Sequence, residues 1–306
     1  MPATLLGEGT ASLRRYGVVR TGDEDVQAHV TQILRRTPLA GRERTLRTST
    51  SRRRRAAHLL SGAAMMAMVS AGAALAGPPF ITDDPVPTPL GQWEVYGFSA
   101  ATQVDGDMGG TLVGTEINNG AAPGLMLHMV IPLAFDAASG QGLKGGPGDI
   151  ELGAKYRFVD ASEKDWWPQI ATFPLIEVPV GNASRNLGGG RFREYLPIWM
   201  EKDFGRWTTY GGGGYWINPG PGNRNYWFVG WLLQRQVTDQ LALGAEIFHQ
   251  TPMTVASGPT TGFNVGGQYD FNDHYHLLFS AGKNVENART TNTFSYYLGV
   301  QYTGRL

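Results

Sequence analysis

The sequence predicts an all-β protein, a transmembrane antiparallel up-and-down β-barrel of about twelve strands, on three observations. An early segment runs from basic to apolar to small residues, in the order of a secretory signal. After it, segments of about ten residues alternate in polarity. The connections between these segments alternate between tight turns and long loops rich in Gly, Pro and Asn, as they do in outer-membrane barrels but have no reason to do in a soluble sandwich.

Composition agrees with this class. The chain has 306 residues, with 42 Gly, 13 Phe, 12 Tyr, 8 Trp and no Cys. The charged fraction is 17%, below the roughly 25% of an average globular domain. Without Cys there is no disulfide, thiol nucleophile or Cys-ligated metal. The formal net charge of zero conceals an asymmetry: residues 1–76 carry 12 Arg against 5 acids, and residues 77–306 carry 14 basic against 21 acidic groups.

Residues 52–76, "RRRRAAHLLSGAAMMAMVSAGAALA", place a basic block before an apolar stretch and end in Ala74-Leu75-Ala76. That is the plan of a signal peptide, with cleavage expected after Ala76. An uncleaved anchor helix is the alternative, disfavoured because so many Ala, Gly and Ser residues make the segment weakly apolar. Residues 1–51 form a polar, Arg-rich extension, read as a start site assigned too far upstream, with a functional extension as the alternative. The barrel is expected over 77–306.

Twelve strands are expected at 92–102, 111–120, 125–135, 149–159, 168–179, 193–203, 206–217, 225–236, 240–250, 262–271, 274–283 and 293–303. In "GDIELGAKYRF", Ile150, Leu152, Ala154, Tyr156 and Phe158 alternate with Glu151, Gly153, Lys155 and Arg157. The first set is expected to face lipid and the second the lumen. On this parity Leu152→Arg is expected to be costly and Gly153→Ser mild. "GFNVGGQYDF" and "TFSYYLGVQYT" alternate as sharply, whereas the strands around Tyr195 and Trp227 are apolar on both faces and leave direction open. "DAASGQGLKGGPG", "GNASRNLGGGRFRE" and "NPGPGNRN" read as long loops; "APG", "FG" and "NDH" read as turns. Trp93, Trp166, Trp167, Trp207, Trp216, Tyr226, Trp227 and Tyr302 near strand ends read as interfacial girdles.

Several motifs also carry a family resemblance. "GPPFITDDP", "QWEVYGFS", "GDIELGAKYRF", "TTYGGGGYWINPG", "GWLLQRQV", "GAEIFHQT" and "HLLFSAGK" resemble the bacterial outer-membrane transporter family of the phenol meta-degradation pathway. The resemblance spans 77–306 and implies an outer-membrane barrel that passes small compounds, with aromatic ones as the implied class. The chain departs from the barrels' common terminal Phe by ending "YTGRL", with Leu306 in phase with Val300 and Tyr302.

No residue pattern requires a catalytic centre, metal or cofactor. His276 and Ser280 share a strand face but lie about 13 Å apart, too far for a base to reach a nucleophile. His128, His249 and Glu246 could meet other groups across the barrel, although a lone lumenal His is usually a hydrogen-bonded polar group, and His274 with His276 lacks a third metal ligand. "GGGG" at 211–214 has no Lys-Ser/Thr and no helix, so it is not a phosphate loop. Gly153, Gly212 or Gly213, Gly244, Gly266, Gly282 and Gly299 fall within strands, mostly on the polar face, where they leave lumen space or permit curvature.

The lumen-lining candidates are Glu116, Asn118, Glu151, Lys155, Arg157, Glu246, Asn264, Gln268 and Asp270, with mixed signs that argue against strong ion selectivity. Arg185, Arg191, Arg193 and Arg224 are placed at the outer mouth. They either bind lipopolysaccharide phosphates or draw anionic solutes such as aromatic carboxylates. The expected partners are outer-membrane lipid and lipopolysaccharide, a small-molecule solute and the barrel-assembly machinery, with no nucleic acid. The leading reading is a passive channel with a narrow pore, provided that no loop plugs it. An envelope-lipid hydrolase and a closed structural or adhesive barrel are the alternatives.

Overall fold

The computed structural model describes residues 78–305 apart from residue 163. The expected extension, signal peptide, cleavage site and terminal Leu306 therefore lie outside the described residues.

Fourteen strand segments form one sheet closed on itself. In chain order they are β1 (Trp93–Val104), β2 (Asp107–Ala122), β3 (Leu125–Ala138), β4 (Gly142–Pro147), β5 (Ile150–Val159), β6 (Gln169–Thr172), β7 (Leu175–Val178), β8 (Arg193–Phe204), β9 (Trp207–Ile217), β10 (Tyr226–Gln236), β11 (Leu241–Gln250), β12 (Thr260–Asp270), β13 (Tyr275–Asn284) and β14 (Phe294–Gly304). Segments β4 with β5, and β6 with β7, are each one interrupted stave, so the barrel has 12 antiparallel staves. Each stave corresponds to one expected strand. The first and last staves pair from Trp93↔Gly304 to Gln103↔Phe294, which leaves no open edge.

The interruptions have a cause in the neighbouring staves. Pro132 in β3 has no N–H to give, and opposite it the chain breaks between β4 and β5, where Gly148 N donates to Pro132 O at 2.9 Å. Pro197 in β8 sits opposite the break at Phe173 and Pro174, where Ala154 N donates to Pro174 O at 3.2 Å and Thr172 Oγ1 donates to Pro197 O at 2.9 Å. Proline within a sheet is tolerated where the ladder is already irregular, and here the irregularities are paired across neighbouring staves.

The two ends of the barrel differ. One end holds the short turns at 123–124, 205–206, 237–240 and 271–274, together with the longer connection at 160–168. The other holds the connections at 179–192, 218–225, 251–259 and 285–293, the last containing one helical turn, Ala288–Thr291. The segregation has three exceptions, the first being the long 160–168 connection on the turn end. The β1–β2 turn on the loop end needs only Asp105 and Gly106, both at positive φ, the conformation of a two-residue hairpin. "DAASGQGLKGGPG" is not a loop but an extended hairpin of β3 and β4, paired from Leu133↔Pro147 to Ala138↔Gly142.

Facing follows the two-residue period. Leu152, Tyr156, Phe158, Leu298 and Val300 are exposed on the outer wall, whereas Glu151, Lys155, Tyr297 and Gln301 are buried inside. The staves left open by sequence also have a direction: Tyr195, Trp199, Tyr226 and Phe228 point inward, and Leu196, Ile198, Trp227 and Val229 point outward. Trp216 and Tyr226 therefore leave the expected girdle for the interior, while Trp207 and Trp227 stay on the outer surface. In the 160–168 connection, Trp166 packs edge-on against Trp167. Beside them, hydrogen bonds from the backbone and side chain of Ser162 hold the exposed Asp165 carboxyl below its ordinary pKa.

Leu152→Arg is expected to lower folding stability in lipid by about 2–4 kcal/mol, the range for a midplane cation on the lipid face. Gly153→Ser is expected to impair folding too, against the sequence expectation. A Cβ there meets Leu175 Cδ2 and Phe173 Cε2, the latter at 2.9 Å. Denaturant titration in liposomes, read by heat-modifiable gel mobility, measures both; wild-type midpoints for either variant contradict this facing.

Candidate functional site: an occupied lumen

The interior contains the segment of the chain that precedes β1. From residue 79 it runs down the lumen and leaves at the turn end, where Leu90 bridges to Gly120 and Gly91 N donates to Gly120 O at 2.8 Å. Near mid-barrel, Ser280 Oγ donates to Pro79 O. Phe80 is buried against Tyr210 and Leu232. The Glu246 carboxylate accepts from Ile81 N at 3.0 Å and Thr82 N at 2.7 Å, and is itself fixed by Asn264 Nδ2 at 2.6 Å. Lower down, Lys155 Nζ lies 3.0 Å from Asp83 Oδ1 and 3.6 Å from Asp84 Oδ1. Gly230 marks the closest approach of wall and segment, where a Cβ would meet Thr82 Oγ1 and lie 3.1 Å from Thr82 Cβ.

Below this segment, toward the turn end, the lumen is acid-rich and hydrogen-bonded. Asn118 Nδ2 donates to Glu116 Oε1 at 3.0 Å, which turns its carbonyl toward His128 Nδ1 at 2.7 Å. His128 Nε2 lies 3.0 Å from Glu151 Oε1. Arg157 donates to Gln169 at 2.8 Å, and Gln169 donates to Glu201 at 2.8 Å. At the turn-end mouth, Gln268 and His276 both meet Asp270, at 2.7 and 2.6 Å.

Above it, toward the loop end, the character changes. A cavity of about 230 Å³ rests on Pro79, Phe80 and Ile81 as its floor. Tyr195, Trp216, Tyr226, Phe228 and Phe248 wall one side, with Tyr195 stacked on Trp216 at 4.7 Å between centroids and Trp216 stacked on Tyr226 at 5.9 Å. The opposite side is polar but uncharged, with Asn264, Ser280, Asn284, Asn292 and Tyr297. No residue lining the cavity is charged. Tyr195 OH, Tyr297 OH, Asn284 Oδ1 and Asn292 Oδ1 are buried without a hydrogen-bond partner among the described residues. Buried polar atoms ordinarily have partners; these four are packed within the cavity wall, Tyr297 OH against Gly299 and Asn284 Oδ1 against Gly262.

Among the sequence candidates, Glu116, Asn118, Glu151, Lys155, Glu246 and Asn264 are buried in the lumen, and Arg157, Gln268 and Asp270 lie toward its turn end. The structure brings Glu246 and Lys155 onto the same N-terminal segment. Arg193 is corrected: it is not at the mouth but inside, 5% exposed. It donates to Glu177 at 2.8 Å and to the Tyr226 hydroxyl at 2.9 Å, and lies 4.7 Å from the Trp216 ring. Its position at the first residue of β8 sets that parity. Arg185, Arg191 and Arg224 are exposed in the loops. Sequence reading missed Thr82, Asp83 and Glu177, and it named His128 as a lumenal polar group without its partners Asn118 and Glu151. The signal available was the unexplained "FITDDP" before the first strand, with two acids and a single lumenal Lys needing a partner.

Among the described residues no group of three or more His, Cys, Asp or Glu is placed to hold a metal ion. Ser280 and His276 are engaged separately, by Pro79 and Asp270.

No protein-family model matches this chain, and no curated protein matches it. Solved structures do. The chain is similar to the COG4313 outer membrane channel from Pseudomonas putida F1, with 17% identity, 71% of this chain and 96% of that one covered, and a TM-score of 0.57. The KdgM porin in complex with disordered oligogalacturonate aligns with 11% identity over 69% of this chain and 98% of that one, at TM-score 0.47. The translocator domain of the autotransporter NalP from Neisseria meningitidis aligns with 14% identity over 82% and 97%, at TM-score 0.43. At these identities the likeness is one of fold. The link to phenol meta-degradation rests on the sequence motifs alone.

Lys155→Met is expected to lower stability by about 3–5 kcal/mol, because it leaves Asp83 buried without its cation. Adding Asp83→Asn to that variant is expected to recover much of the loss, since the uncompensated charge is then gone. Denaturant midpoints of the two single variants and the double variant give the coupling; additive losses contradict the ion pair.

Proposed function

We propose that the chain is an outer-membrane channel that passively passes small solutes, with uncharged aromatic compounds as the preferred class and without enzymatic activity. In this reading the signal peptide is removed near Ala76, the loop end faces outward, and the barrel-assembly machinery inserts the protein. The observation that carries the solute class is the cavity: aromatic on one side, polar on the other and charged nowhere. An aromatic wall favours flat apolar molecules, while the polar, uncharged lining beside it, which includes Gln250, Thr260 and Asn264, suits one hydrogen-bonding substituent. The motif resemblance to transporters of phenol meta-degradation points to the same class.

The lining also revises the expected anion capture. A carboxylate entering a cavity with no cation gives up its hydration uncompensated, and Arg193, the nearest guanidinium to the aromatic wall, is already committed to Glu177. The exposed Arg185, Arg191 and Arg224 fit lipopolysaccharide phosphates better than a carboxylate destined for the lumen.

Planar-bilayer recordings with lipid hydrolysis assayed in parallel test this reading. Ionic current without hydrolysis is expected. Phenol added to the loop side is expected to interrupt that current at concentrations about tenfold below benzoate, the equivalent of 1.4 kcal/mol of charge desolvation. Equal or stronger block by benzoate contradicts the uncharged class, and hydrolysis without current favours the enzyme.

A further inference from the structure

The segment inside the lumen is either permanent filling or a movable part, and its attachments distinguish the two. A stave is held by a ladder of backbone hydrogen bonds on both sides. Residues 78–89 form no strand. What holds their lumenal part is contributed mainly by side chains of the wall: Ser280 on the Pro79 carbonyl, the Glu246 carboxylate on two consecutive N–H groups, and Lys155 on Asp83. Each of those groups is polar and is hydrated when the segment leaves. The wall loses no ladder bond, because β1 begins only at Trp93.

The rest of the segment is stiff. Pro85, Pro87 and Pro89 alternate along it, which stiffens the chain and removes N–H groups that would otherwise need partners. Next to them Gly91 has φ +73° with nothing within 4 Å of a Cβ placed on it. That is an anchored hinge point at the turn-end rim, where Gly91 N donates to Gly120 O at 2.8 Å and Gln92 N to Pro89 O at 2.9 Å beside the Leu90 bridge to Gly120. The segment also lies where it matters for passage, as the floor between the aromatic cavity and the acid-rich lower lumen.

We infer that residues 79–84 are a removable gate, clasped shut by Glu246 and pivoting near Gly91, so that the lumen opens while the barrel wall stays unchanged. The inference rests on the channel reading. Glu246 is a positioning residue: it touches the gate and orients it across the lumen.

The chain has no Cys, so a reversible lock can be installed cleanly. Thr82 Cβ and a Cβ on Gly230 are 3.1 Å apart, within a small shift of the ~3.8 Å of a disulfide. In planar bilayers, the folded double variant Thr82→Cys with Gly230→Cys is expected to be silent when oxidised and to conduct after reduction. Glu246→Ala is expected to conduct several-fold more than wild type, and Glu246→Gln, which keeps one acceptor, to fall between them. Heat-modifiable mobility confirms that each variant is folded. Wild-type current with equal currents from the oxidised and reduced lock overturns the gate and leaves the channel standing. Folded, inserted protein that stays silent in wild type, reduced lock and Glu246→Ala alike overturns both.

Discussion

The structure depends first on the pairing of β1 with β14. In hydrocarbon an unpaired backbone group has no water to turn to, so a sheet is stable there only when it has no edge. Eleven register partners from Trp93↔Gly304 to Gln103↔Phe294 close that edge. Closure then dictates the rest. It fixes two surfaces, assigns alternate residues to each, and encloses a space that must be filled by side chains, by water or by another piece of chain.

How that space is filled follows from residue size and charge. At 12 staves the barrel lies between the small barrels that side chains fill and the large ones that hold an aqueous channel. Aromatic residues from β8, β9, β10 and β11 occupy one side of the loop half, and the chain's own residues 79–84 cross the middle. The crossing is stabilised by opposite charges and by a carboxylate aimed at consecutive amides. Glu246 is useful in this role because one carboxylate accepts several donors at once, satisfying backbone that has no ladder of its own. The result is a lumen in two parts, neutral and aromatic above, acidic below.

Much of the wall was legible from sequence because its cause is local. Ile150 to Phe158 alternate, and facing follows from parity alone. Phe294 to Tyr302 behave in the same way. Tyr195 and Trp199 were not assignable, since both faces of their stave are apolar and only the assembled barrel separates an aromatic interior from a lipid surface. Arg193 shows the same limit. In sequence it closes a Gly/Arg loop, yet as the first residue of β8 it points inward, to a Glu177 that lies 16 positions earlier. The N-terminal segment was hidden for another reason. Its contacts span 72 positions to Lys155 and 164 to Glu246, and no periodicity reports a partner at that distance. The stave breaks beside Pro132 and Pro197 were likewise invisible until the register aligned each proline with a neighbour.

The barrel carries in its lumen the segment that precedes β1, held by Glu246. Hydrogen exchange of the folded protein in detergent measures this directly, through the amides of Ile81 and Thr82. A peptide covering 80–84 is expected to exchange slowly in the native protein and much faster in Glu246→Ala, while wall peptides such as 150–159 are unchanged. Fast exchange of that peptide in the native, folded protein would contradict the account.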